Sequence, residues 1–245
     1  MEASQLIIKQ PIMKLVSGRR GTPAAKTRRK TGQKGPGRPE GTSVVRDDIL
    51  DAAEELFANL GYAGTTLREV ADQANVTQAL INYYFGSKYG LFEAVFMRRS
   101  QIISQQRIEN LARLQAKPGK PKVRDIVQAF LMPTLAFRST PEGRSFLRLQ
   151  ARLHTEPPQI SYKLRTDAYG SSTRQYVEAV RKALPNLPEL DAYWRVTLMV
   201  GTYLYAFSDT HRMEEMAPPG LYDPDDTDSL IDQVTRFVTG GMQAP

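Results

Sequence analysis

Residues Thr65–Lys88 read TTLREVADQANVTQALINYYFGSK. Thr66-Leu-Arg-Glu69 has the form of a capping box, in which the hydroxyl and the carboxylate satisfy each other's orphan amides. Leu67, Val70, Ala71 and Ala74 give the helix that follows a narrow apolar face. Asn75 marks a turn, Thr77 caps a second helix, and Val76, Ile81 and Phe85 anchor that helix from within. Gly86-Ser87 ends it. The second helix carries almost no formal charge but presents Gln78, Asn82, Tyr83 and Tyr84. Two short helices joined this way form a helix-turn-helix, which can set its second helix in the DNA major groove.

A helix placed there needs planar or short hydrogen-bonding side chains near its start. Gln78 and Asn82 can each contact adenine through two bonds, and Ala79 and Leu80 can touch a thymine methyl. Tyr83, Tyr84 and Lys88 suit the sugar-phosphate backbone, as do the hydroxyls of Thr65 and Thr66 before the first helix, and Thr77 at the start of the second helix is a further candidate DNA contact. Arg68, on the exposed side of that helix, can reach a guanine edge or a phosphate. The competing reading is a plain three-helix bundle in which Tyr83, Tyr84 and Phe85 are core. The capping box, the turn spacing, the amide side chains and the basic segment before them weigh against it.

Working outward, Val45, Ile49, Ala52, Ala53, Leu56, Phe57 and Leu60 recur at helical spacing over 45–60, with Gly61 as the stop. A long helix is expected over Lys88–Gln115, and KPGKPK at 117–122 breaks the pattern. Helical patterns resume at 123–138, 142–153, 159–184, 189–213 and 227–240, punctuated by prolines. No segment alternates with the two-residue period of a strand. The fold expected is therefore all-α, with a three-helix helix-turn-helix domain at 44–90 and a larger helical domain at 91–245.

Before these lies a basic segment, 1–43. Residues 1–46 carry eleven Lys or Arg against Glu2 and Glu40, so the remainder of the chain, whose total is +7, sums to −2. Its Gly, Pro, Lys and Arg composition cannot bury enough surface to offset ordering entropy, so it is expected to be disordered. Such asymmetry suits a polyanion partner, or simply a solubilising tail. Gly37-Arg38-Pro39 offers Arg38 to a minor groove, with a plain linker as the alternative.

Composition narrows the classes further. The chain has no cysteine, which removes disulfides and thiolate metal sites, and only two histidines, His154 and His211. No His–carboxylate constellation or phosphate-cradling glycine loop is evident, so an enzyme is not expected, nor a cofactor. His211 beside Asp209 lacks a third ligand for a metal. No run of 18 apolar residues suggests a membrane span, and the N-terminus lacks a signal-peptide pattern. A cytoplasmic location is expected.

The stretch Ile49–Phe96, ILDAAEELFANLGYAGTTLREVADQANVTQALINYYFGSKYGLFEAVF, resembles the DNA-binding domain of TetR-family transcriptional regulators. The shared features are an amphipathic first helix ending in Phe57-x-x-x-Gly61-Tyr62, then Thr65-Thr66, Ala71, and Tyr84-Phe85-x-Ser87-Lys88. The family often has an aromatic residue at the position of Asn82 and Gly or Thr at those of Ala79 and Leu80. Those departures bear on which bases are read. The resemblance implies a homodimeric regulator, more often a repressor, that binds a palindromic operator in double-stranded DNA. It further implies release by a small-molecule inducer held in the C-terminal domain.

The rest of the chain partly supports this. Residues 191–210, DAYWRVTLMVGTYLYAFSDT, are apolar around almost the whole helix circumference, so one face needs cover beyond the subunit's own core. Trp194, Leu198, Gly201, Thr202 and Tyr205, with Leu230, Val234 and Phe237 of the last helix, are the candidate dimer interface, a four-helix bundle about a two-fold axis. Burial inside one subunit is the alternative. For a ligand pocket the candidates are Arg148, Arg152, His154, Tyr169 and Tyr203, each of which is otherwise a surface charge or a satisfied core side chain. Two rival functions stand beside the regulator: an architectural DNA-binding protein that uses its basic arm, and an enzyme that uses a C-terminal cavity.

Overall fold

The computed structural model describes the backbone from Glu40 and the side chains from Val44 to the C-terminus. The basic arm, with Arg38, lies outside the described residues. Among the described residues ten α-helices follow in order: α1 Glu40–Gly64, α2 Leu67–Gln73, α3 Gln78–Phe85, α4 Lys88–Gln115, α5 Val123–Leu135, α6 Pro141–Leu153, α7 Pro158–Ala183, α8 Glu189–Phe207, α9 Arg212–Met216 and α10 Thr227–Gln243. Among the described residues there is no strand. None of these helices is long and apolar enough to cross a membrane.

Local chemistry sets the boundaries in the N-terminal part. α1 is broken at Gly61, whose φ of 77° and ψ of 175° are all but closed to side-chain-bearing residues. A Cβ there would also come within 3.3 Å of both Arg152 and Glu156. Thr66 Oγ1 accepts from the Glu69 amide at 3.2 Å while Glu69 Oε2 accepts from the Thr66 amide at 2.7 Å, completing the capping box. Asn75 takes the left-handed conformation at the turn (φ 53°), and the Thr77 hydroxyl accepts from the Leu80 amide to start α3. Ser87 caps α4 through the Gly90 amide, and a Cβ on Gly90 would overlap the carbonyl oxygen of Phe85. The tight α3–α4 corner therefore requires glycine at 90.

α4 is the spine. Its first turns hold the helix-turn-helix and its remainder packs along α5 and α7, while α10 covers α5 and α8. Val95, Phe96, Ile103 and Leu111 of α4 are buried with Phe130, Phe146, Leu164, Val180 and Val196 in one continuous core. The helix-turn-helix is fixed to α4 by a carboxylate as well as by apolar packing. Glu54, 2 % exposed, accepts from Arg99 Nε at 2.7 Å and from Arg98 Nη2 at 3.1 Å. Two half-buried guanidiniums on one buried carboxylate give α1 a single register against α4.

Two expected helices end early. The one expected over 123–138 stops at Leu135 and tightens into a 3₁₀ turn, Ala136–Ser139. The one expected over 189–213 stops at Phe207, and Asp209 and His211 are left-handed (φ 51° and 55°). Arg138, in that 3₁₀ turn, holds the second of these ends. Its Nη1 donates to the Phe207 carbonyl at 2.9 Å and to Asp209 Oδ1 at 2.6 Å, and its Nη2 donates to the Pro224 carbonyl. A carbonyl held this way no longer needs the next helical turn.

Candidate nucleic-acid interface

In α3, only Ile81 is fully buried, with Val76 before the helix and Phe85 at its end partly covered. Gln78, Ala79, Asn82 and Tyr83 are all exposed, and Tyr83 is 81 % so. Positions 78, 79, 82 and 83 lie one helical turn apart, so these four side chains share a single outward face beginning at the helix N-terminus. Leu80 and Tyr84 flank that face, half-buried. The result is an uncharged strip of two amides, a methyl and a phenol, on a helix held from behind by the buried Ile81 with the partly covered Phe85.

Cations lie beside this strip. Arg68 on α2 is 86 % exposed and approaches Asp72 only at 4.0 Å, a surface pair worth little. Lys88 donates to the Ala63 carbonyl at 3.4 Å with its ammonium 4.6 Å from the centre of the Tyr62 ring. Thr66 and Thr77 are exposed, although each hydroxyl already accepts a capping amide. The Thr66 hydroxyl and amide both donate to Glu69 and hold its carboxyl below the usual range, so the capping box is charged at neutral pH.

Thr65 is placed differently from the expectation of a phosphate contact. It is fully buried and its hydroxyl donates to the Gly61 carbonyl at 2.9 Å. The reason is the break at Gly61, which frees that carbonyl and draws the nearest hydroxyl inward. Thr65 therefore shapes the α1–α2 corner, and Thr66 alone offers a hydroxyl to the outside.

In the C-terminal part, the outer face of α8 carries an apolar stripe at spacings of three and four: Leu190, Trp194, Leu198, Gly201 and Tyr205. Trp194, Leu198 and Tyr205 are 59 %, 62 % and 57 % exposed, and Phe237 on α10 is 73 % exposed. Thr202 and Leu230 are half-covered. Val234 is instead buried, because Ile231, Val234, Val238 and Met242 form the stripe that α10 turns into its own subunit.

The five pocket candidates do not meet in one site. Arg148 and Arg152 line an open depression of about 300 Å³ with Ala58, Asn59, Ala151 and Ser208. His154 is partly buried with its Nδ1 3.3 Å from Arg165 Nη1. Burial first, and the Arg165 charge second, lower its pKa to about 4, so it is neutral near pH 7. Tyr169 and Tyr203 are in the core, and both hydroxyls face the Gln150 amide, at 2.7 and 3.5 Å. Burial pushes the Tyr169 phenol well up, which keeps it a neutral hydrogen-bonding group.

Beside those tyrosines is a residue that sequence reasoning missed. Arg107 on α4 is 1 % exposed, with Nε donating to the Phe130 carbonyl at 3.0 Å and Nη2 to Thr134 Oγ1 at 2.9 Å. Its guanidinium lies 3.6, 5.2 and 5.5 Å from the ring centres of Phe130, Tyr203 and Tyr169. The signal was available: Arg107 stands four residues after Ile103 and four before Leu111, on the apolar stripe of α4.

Two family models match the chain. The one for bacterial regulatory proteins of the TetR family covers residues 49–95, and the tetracycline-repressor-like C-terminal domain covers 128–241. Over 52 residues the chain is 46 % identical to the HTH-type transcriptional regulator YvkB of Bacillus subtilis, a match spanning 21 % of this chain and 28 % of that protein. Over 49 residues it is 41 % identical to IcaR of Staphylococcus aureus, the negative transcriptional regulator of the icaADBC biofilm operon, spanning 20 % and 26 %. The chain thus matches only about a quarter of the length of these curated relatives. Among solved structures, a TetR-like transcriptional regulator from Rhodococcus sp. RHA1 shares the fold with a TM-score of 0.55 at 18 % identity, over 83 % of this chain and 98 % of that one. Helix-turn-helix and C-terminal domain models, matched in the expected order on an all-helical chain, make it a member of the TetR family.

Proposed function

We propose that this chain is a sequence-specific DNA-binding regulator that acts as a homodimer on an inverted-repeat operator and is released by a small molecule. One observation carries the reading: the exposed face of α3 collects Gln78, Ala79, Asn82 and Tyr83, side chains that the core of the chain does not take up. Amides at the start of a helix are the groups that read adenine in a major groove, with Ala79 and Leu80 against thymine methyls. Arg68, Thr66, Thr77, Tyr83, Tyr84 and Lys88 serve the phosphates, and Arg38 in the N-terminal arm adds a minor-groove or backbone contact.

Two half-sites require two copies. The stripe of Trp194, Leu198, Gly201 and Tyr205 with Phe237, continued by Thr202 and Leu230, is the surface on which the second copy docks. Large exposed apolar patches are unusual on monomers, which favours cover by a partner. Repression is the sign of regulation chosen, as in IcaR. The division of labour is a reading head over 44–90 and a dimerising, effector-binding body over 91–245, working in the cytoplasm without catalysis.

Selection of bound duplexes from a randomised pool with the purified full-length chain tests this. An inverted repeat with half-sites about one helical turn apart is the expected product. Recovery of no motif would turn the reading toward an architectural protein that binds any duplex through its arm.

A further inference from the structure

Arg107 is a cation without an anion. Among the described residues no carboxylate lies within ion-pair distance of it, whereas Arg138, the other buried arginine among them, pairs with Asp209, and the half-buried Arg98 and Arg99 pair with Glu54. Two neutral acceptors and three ring faces offset part of its desolvation, but neither supplies a full negative charge. Next to the same rings, Gln150 is 1 % exposed and its Oε1 has no partner. Turning the amide over would let Oε1 accept from a tyrosine hydroxyl and free the NH2 as a further donor. The cluster thus holds a buried guanidinium, two phenols, a hydroxyl at Thr134 and one uncommitted amide end, all walled by aromatic rings.

We propose that this cluster is the effector site and that its ligand is an organic monoanion, a carboxylate on an apolar body, with Arg107 as its counter-charge. The proposal rests on the reading of the chain as a ligand-released regulator. Arg107 offers the carboxylate its guanidinium, and Tyr169, Tyr203 and Gln150 complete the donors, while Phe130 and its neighbours receive the apolar part. The cluster is closed in this conformation, and α5 is where it can open. Pro133 lacks the N–H that would close on the Ala129 carbonyl, and Asn110 of α4 donates to that carbonyl at 3.2 Å instead. The C-terminal half of α5 is therefore tied to α4 by the side chains of Asn110 and Arg107 rather than wholly by its own ladder. An anion that recruits Arg107 removes one of the two ties.

The test uses the full-length chain and a panel of sodium octanoate, benzoate and phenylacetate, each beside its methyl ester, followed by thermal melting. At least one carboxylate is expected to raise the melting temperature dose-dependently while its ester does not, and Arg107→Gln is expected to abolish that response. Should Arg107→Gln not fold, Gln150→Leu, which leaves the guanidinium in place, is expected to weaken the same carboxylate about tenfold. Equal stabilisation by acid and ester, no stabilisation by any acid, or an undiminished acid response in both variants overturns the proposal. Operator binding, followed in parallel, separates the two readings. Ester-driven release leaves the effector reading standing and removes the anion, whereas an acid that binds without altering operator affinity keeps the site and removes its effector role.

Discussion

Arg152 donates through Nη2 to the backbone carbonyl of Asn59 at 2.9 Å, and so joins α6 to the last regular turn of α1. Two further contacts reinforce the junction: Glu156 Oε1 accepts the Tyr62 amide at 2.9 Å, and both side chains close over Gly61. α6 also carries Gln150, two residues before Arg152, into the tyrosine cluster. One rigid helix therefore touches the core of the body and the end of the reading head. Since coupling is a difference in affinity between two states, a device of this kind must be bonded in one state and altered in the other.

Removing the junction should uncouple the head from the body more than it unfolds either. Glu156→Ala is expected to cost about 1–2 kcal/mol in urea unfolding, the range for a hydrogen bond to a charged group that is part-exposed. Operator affinity without effector should change little, and the fold-release caused by effector should shrink. Equal loss of affinity with and without effector would show Glu156 to be a plain structural contact.

Glu54 is a different case, because it is itself buried and its two arginine partners are largely covered. Glu54→Ala leaves Arg99 without its carboxylate and Arg98 with Asp51 alone, and the expected loss is roughly 1.5–3 kcal/mol of unfolding free energy, the scale of hydrogen bonds to a charged group. Chemical denaturation followed by circular dichroism measures it. A loss below about 1 kcal/mol would mean that solvent already screens the group.

His154 gives the chain an acid-side weakness. Its folded-state pKa of about 4 lies below the ordinary value of 6.5, so the unfolded chain binds the extra proton first. Stability attributable to this group is complete above pH 6.5 and falls as the pH drops from 6.5 towards 4. His154→Gln should flatten the stability–pH curve over that window relative to the parent and leave it unchanged at pH 8. Parallel curves for the two proteins would contradict the assignment.

The dimer surface can be tested without disturbing the fold. Leu198 is 62 % exposed, so Leu198→Glu removes no core contact but sets a charge on the stripe. The variant is expected to keep its helical spectrum, to sediment as a monomer, and to lose binding to the full inverted repeat. A dimer that survives both Leu198→Glu and Phe237→Glu would place the interface elsewhere.

What could be read from the sequence divides by range. The capping box at Thr66 and Glu69, the stop at Gly61, the Asn75 turn and the Ser87 cap depend on neighbours within four residues, and the structure has each of them. The all-helical fold followed from periodicity, and α4 has the bounds that periodicity gave. The misses are long-range. Nothing near Phe207 announces that Arg138, 71 positions before Asp209, will end α8. Thr65 faces inward only because Gly61 leaves a carbonyl free. Val234 and Phe237 share one helix and one chemistry, and which of them is buried is decided by the packing of α10 on α5 and α8. Arg107 carried a signal, a charge on an apolar stripe, that counts of surface charge pass over.

The most direct measurement titrates the full-length chain against the selected inverted repeat and a scrambled duplex at one fixed salt concentration, for the parent, Gln78→Ala and Asn82→Ala. Each variant is expected to bind the repeat about 1–3 kcal/mol more weakly, with the scrambled duplex unaffected. Unchanged affinity of both variants for the repeat would contradict the assignment of the α3 face as the reader of DNA sequence.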